Sequence, residues 1–151
     1  MISREHIGRH RRATRQVELG QLRFFLSAIG EKEAAFAALA PGQRLQVPPT
    51  YLFCLEMIDD PDPLDWLTGM GVNLLHILHG QQRFDYHAPA WSGDTLEFDM
   101  CIEDIQEKKG GAMQFILKKT EVRNQHGALV ATLSSTVIYR DPAHQGKGGK
   151  A

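Results

Sequence analysis

The chain has 151 residues, enough for one domain that buries its own core without disulfide or metal staples. Its 17 basic and 18 acidic side chains leave a formal net charge of −1, so no global field attracts nucleic acid or an anionic membrane, and neither is expected as a partner. No apolar run approaches 18 residues and no N-terminal apolar h-region is visible, while Cys54 and Cys101 stand too far apart for a zinc or redox motif; a cytoplasmic protein without a metal site is expected.

In chain order, the first feature is a basic run from His6 to Arg15, with Arg9, Arg11, Arg12, Arg15 and two histidines, which reads as a solvated N-terminal strand edge. Val17, Leu19, Leu22, Phe25, Leu26 and Ile29 then fall near the i, i+3, i+4, i+7 spacing of an amphipathic helix that ends at Gly30. Alanine-rich Glu31 to Leu39 continues as a short second helix before the Pro41-Gly42 turn.

After Pro48-Pro49, the run Thr50-Tyr51-Leu52-Phe53-Cys54-Leu55-Glu56-Met57-Ile58 suits a buried strand or a buried helix, with the prolines favouring helix. Asp59-Asp60-Pro61-Asp62-Pro63 ends it. A short helical turn follows over Leu64 to Leu67, ahead of the breakers Gly69 and Gly71.

From Asn73 onward the pattern turns to strands, expected over His76–Tyr86, Asp94–Glu107, Ala112–Asn124 and Ala128–Arg140. Turns at Ser92-Gly93-Asp94, Lys109-Gly110-Gly111 and Asn124-Gln125-His126-Gly127 separate them, and alternation shows in Phe115, Leu117, Lys119 and in Leu129, Ala131, Leu133. Helices first and an antiparallel meander afterwards give an α+β order in a single domain over residues 1–140. The remainder, residues 141–151, carries no apolar side chain larger than alanine from Ala143 onward and is expected to be a disordered tail.

The stretch Leu78-His79-Gly80-Gln81-Gln82-Arg83-Phe84-Asp85-Tyr86-His87-Ala88-Pro89, followed by Trp91-Ser92-Gly93-Asp94-Thr95-Leu96, resembles the N-terminal domain of MaoC-like acyl-thioester dehydratases. The resemblance covers roughly residues 8 to 140. It implies a hotdog fold, an antiparallel sheet wrapped around a central helix that would be Thr50 to Ile58, and pairing of two hotdogs as a homodimer or as a heterodimer with a catalytic subunit. It also implies an acyl-thioester substrate, on coenzyme A or an acyl carrier, reversible hydration of a 2-enoyl thioester, and no metal or redox cofactor. These dehydratases and the related (R)-specific enoyl-CoA hydratases carry a Gly-Asp-x-Asn-Pro-x-His signature after the first helix. This chain has Gly30-Glu31-Lys32-Glu33-Ala34-Ala35-Phe36 there. Phenylalanine has no exchangeable proton and no lone pair, so the chain resembles a dehydratase half whose own dyad is gone and whose partner supplies the Asp and His.

Within that frame Glu31 is a weak catalytic candidate, a carboxylate left at the family's Asp position. Glu56 is another, because hotdog thioesterases place a carboxylate on the central helix. Thr50, Tyr51, His76, His79, Gly80, Gln82 and Arg83 are the candidate substrate-binding residues. His76 and His79, three apart, point to opposite faces if both lie on a strand. Gly80 permits close backbone approach, Gln82 supplies an amide, and Arg83 suits a phosphate or carboxylate, with a surface ion pair as its plainer role. The basic run would likewise contact the phosphates of coenzyme A. Phe24, Phe25, Phe53 and Trp66 read as core side chains. Two alternatives stand beside the tunnel-subunit reading: a non-enzymatic acyl-CoA-binding homodimer and an acyl-CoA thioesterase using Glu56.

Overall fold

The computed structural model of the chain describes residues 1–142; the tail expected from Ala143 to Ala151 lies outside the described residues. In chain order the regular elements are β1 (His10–Gln16), α1 (Leu19–Ala28), α2 (Lys32–Phe36), α3 (Tyr51–Met57), α4 (Asp65–Thr68), β2 (Ile77–Tyr86), β3 (Thr95–Lys108), β4 (Met113–Asn124) and β5 (Leu129–Arg140). The strands form one antiparallel five-stranded sheet in the order β1-β3-β4-β5-β2. This is the hotdog expected from the resemblance, with α3 as its buried helix.

Local chemistry sets the element ends. Helix α1 stops where Gly30 adopts a φ of 93°, and the Gly30 and Glu31 N–H groups return to the Ser27 and Leu26 carbonyls. That pair of bonds is a Schellman closure, which favours glycine at the left-handed position. Helix α3 begins after Pro48-Pro49 and buries Tyr51, Leu52, Leu55 and Glu56 on the side facing the sheet.

The basic run is more than a fringe. It forms β1, the strand edge expected of the run, paired along β3 from His10 opposite Cys101 to Gln16 opposite Thr95. Half-buried Arg11, Ala13 and Arg15 alternate with exposed Arg12, Thr14 and Gln16. Charged residues on the inward side hide the usual apolar alternation of a strand. Asp60 explains their tolerance, because its Oδ2 lies 2.6 Å from Arg11 and 3.2 Å from Arg15 and ties the segment after α3 to β1.

Strand β4 carries a second correction. The apolar alternation Phe115, Leu117 is not the buried phase: Gln114, Ile116, Lys118, Thr120 and Val122 are buried, while Phe115, Leu117 and Lys119 are half-buried on the opposite face. The core accordingly falls into two apolar clusters. One gathers Leu22 and Leu26 of α1, Leu52 and Leu55 of α3, and Phe98, Val122 and Leu133 of the sheet; the other gathers Leu67, Ile102, Ile116 and Val137. Along β4 the side chains between Val122 and Ile116 are Thr120 and Lys118, and along β5 the one between Leu133 and Val137 is Ser135. A polar row therefore crosses the concave face of the sheet, with Lys118 opposite Ser135 and Ser135 opposite Gln82.

Candidate functional site

A cavity of about 230 Å³ lies between α3, the segment through α4, and the concave face of the sheet. That is many times the ~15 Å³ needed to seat one water. Phe53, Met57, Leu64, Trp66, Phe98 and Val137 make its walls mainly apolar, and the exposed lining residues Leu74 and His79 mark the side on which it opens.

The polar row enters this cavity. Glu56 on α3, Lys118 on β4 and Ser135 on β5 line it, each more than nine-tenths buried. Lys118 Nζ donates to Glu56 Oε1 at 2.8 Å and Thr120 Oγ1 donates to the same oxygen at 3.0 Å. The Lys118 ammonium also sits 5.4 Å from the centre of the Trp66 ring, within cation–π range. Ser135 Oγ donates to Gln82 Oε1 at the outer end of the row. A carboxylate and an ammonium in contact satisfy part of each other's demand, which is the condition for keeping charges inside a fold.

Of the candidate residues, Glu56 and His79 meet at the cavity, His79 on the opening side with its ring 5.6 Å from that of Phe53. Gln82 reaches it only through Ser135. Gly80 occupies the register shift between His79 and Gln81, where a Cβ would stand 2.9 Å from Ile138 Cδ1 and 3.2 Å from the Thr136 carbonyl; its role there is close packing of two strands. Arg83 is exposed and forms a two-point pair with Asp85, with bonds of 2.8 to 3.0 Å. His76 belongs to a 3-10 turn ahead of β2, so the two-face argument for a strand does not govern it. Thr50 is exposed at the start of α3 and Tyr51 is 1% exposed, packed edge-on against Phe25 at 5.1 Å; neither lines the cavity.

Glu31 precedes α2 with its side chain exposed and outside the cavity, and Phe36 is 73% exposed. The side chains at the family's Asp and His positions thus lie on the outer surface of this chain. Phe24, expected in the core, is 78% exposed, because Leu22 and Leu26 already hold the inner face of α1; Phe53 and Trp66 line the cavity instead. Burial pushes the Cys54 thiol on α3 up, away from the thiolate form. Among the described residues no group of three or more His, Cys, Asp or Glu is placed to hold a metal ion, and no helix is long and apolar enough to cross a membrane.

Sequence reasoning missed Lys118, Thr120 and Ser135. The available signal was the odd phase of β4, where Gln114, Lys118 and Thr120 interrupt what would otherwise be a two-residue apolar repeat with Ile116 and Val122.

The fold is that of a hotdog domain. The chain belongs to the FAS1-like dehydratase domain region family, which it matches over residues 5–133. A UPF0336 protein of Saccharopolyspora erythraea is 29% identical over 165 aligned positions that take in 99% of each chain. A chain of the HadBC (3R-hydroxyacyl-ACP dehydratase) complex of Mycobacterium tuberculosis superposes with a TM-score of 0.68 at 24% identity, covering 88% of this chain and 96% of that one. A MaoC-like dehydratase from Phytophthora capsici superposes with a TM-score of 0.75 at 22% identity, over 93% of this chain and 51% of the other. The likeness to both solved structures is one of fold.

Proposed function

We propose that this chain is the acyl-binding subunit of an enoyl-thioester hydratase/dehydratase, and that a partner hotdog supplies the catalytic Asp and His. The observation that carries the reading is the separation of two features. The chain has a largely apolar cavity under its central helix, yet the positions of the family dyad carry Glu31 and Phe36 and face outward. An acyl chain suits such a cavity, since pockets for apolar ligands combine apolar walls with a few placed polar groups. Two further facts support pairing: HadBC is a complex, and the Phytophthora chain is about twice the length matched here, which leaves room for a second unit. The thioester would be carried by coenzyme A or an acyl carrier, with no metal or redox cofactor required by an addition of water.

The test is equilibrium binding of octanoyl-CoA, followed by calorimetry, to the wild-type chain and to Ala13→Trp, whose indole fills the cavity from β1. Binding by the wild type that the substitution abolishes supports the reading; binding unaffected by the substitution, or none in either protein, overturns it. Glu56 on the cavity wall supports a second reading, thioester hydrolysis, which the release of free coenzyme A thiol in the same samples would reveal.

A further inference from the structure

We infer that the cavity selects an acyl chain bearing a further hydroxyl group, beyond the 3-position at which the proposed reaction adds or removes water, held where Glu56, Lys118 and Ser135 line the wall. The inference rests on the acyl-binding reading above and narrows its substrate class.

A tunnel for a plain alkyl chain is served best by apolar walls. Here a carboxylate, an ammonium and a hydroxyl interrupt them, all deeply buried. Stability does not account for their presence, because a buried ion pair is commonly no better than apolar side chains of the same volume. What the cluster does have is unused hydrogen-bonding capacity. An ammonium has three donors, and Lys118 spends one of them on Glu56. Both bonds to Glu56 fall on Oε1, and Oε2 accepts none from the described residues. Ser135 gives its proton to Gln82 and keeps lone pairs for a donor on the cavity side.

The charge balance selects the substituent. Glu56 and Lys118 sum to zero, and the other charged lining residue, Arg11, is engaged by Asp60 and Asp65. A ligand carboxylate would meet Glu56 and a ligand ammonium would meet Lys118, each with a like charge. A neutral group that both donates and accepts matches the pair: its proton goes to Glu56 Oε2 or Ser135 Oγ, and its lone pair accepts from Lys118 Nζ. A bare methylene at the same place would displace water from these groups and leave them unpaired, the circumstance in which a polar site rejects the analogue that lacks the polar group.

Calorimetric titration of the wild-type chain with octanoyl-CoA and with the 5-, 6-, 7- and 8-hydroxyoctanoyl-CoA isomers tests this. At least one isomer should bind about tenfold or more tightly than octanoyl-CoA. The preference should shrink in the double variant Glu56→Leu/Lys118→Met, whose wall keeps Ser135 alone of the three polar groups. Octanoyl-CoA binding the wild type as tightly as every isomer, or a hydroxyl preference undiminished in the double variant, overturns the inference and leaves the acyl-binding reading standing. Failure of all five thioesters to bind overturns both. The wild-type comparison decides by itself if the double variant does not fold.

Discussion

Lys118 on β4 and Glu56 on α3 meet across the concave face of the sheet, ammonium to carboxylate at 2.8 Å, and Thr120, two residues further along the same strand, donates to the same oxygen. The contact fixes the helix over the sheet at the seam between the two apolar clusters and places both charges on the cavity wall.

Removing one partner should be far worse than removing both. Glu56→Leu leaves the Lys118 charge buried without its carboxylate and should lower unfolding free energy by about 3–5 kcal/mol. Glu56→Leu/Lys118→Met/Thr120→Val removes both charges and the hydroxyl bonded to Glu56 at similar volume, and should lie within about 1 kcal/mol of wild type, or above it. Urea unfolding of the two variants checks the difference.

Gly80 is held small by its neighbours. Gly80→Ala would set a Cβ 2.9 Å from Ile138 Cδ1, so a loss of about 1–3 kcal/mol is expected, as for other overpacked sites. Ile138→Val deletes the atom in closest conflict and should restore part of that loss in the double variant. The Cγ1 of residue 138 and the Thr136 carbonyl, both at 3.2 Å, remain, so recovery should be incomplete. A thermodynamic cycle of the four proteins measures both effects.

Acid should loosen the segment that follows α3. The Arg11 guanidinium bonded to Asp60 holds its carboxyl below the usual carboxylate range. A pKa depressed in the folded state stabilises the fold fully above the unfolded value of about 4, and that contribution disappears as pH falls through the folded pKa. Asp60→Asn should therefore be less stable than wild type near neutrality. The gap should narrow below about pH 4 and close once the wild-type carboxyl is protonated. Denaturant unfolding across that range reads it directly.

Much of the architecture was legible in the residues. The four C-terminal strands, their turns and the Gly30 stop of α1 follow from turn chemistry and apolar spacing, whereas Glu56 was placed on a central helix by the family resemblance, and the structure has each of them. Strand β1 was legible as a solvated strand edge, but the inward placement of Arg11 and Arg15 was not, because their acceptor Asp60 lies 45 or more residues away in sequence. The inward phase of β4 was hidden for the same reason. Lys118 looks like a solvent residue until Glu56, 62 residues earlier, is folded against it. The candidate site was accordingly half visible: Glu56 and His79 are local guesses that reach the cavity, whereas the row Lys118, Ser135 and Gln82 exists only through the pairing of three strands.

The division of labour between this chain and a partner is tested most directly by hydration of 2-octenoyl-CoA. The assay compares this chain alone, a catalytic MaoC-like hotdog protein of the same organism alone, and the two purified together. We expect turnover only in the mixture, lost when the partner's Asp or His is replaced and lost again when Ala13→Trp fills the cavity of this chain. Turnover by this chain alone, or a mixture no faster than the partner by itself, would contradict the assignment of this chain as the acyl-binding half.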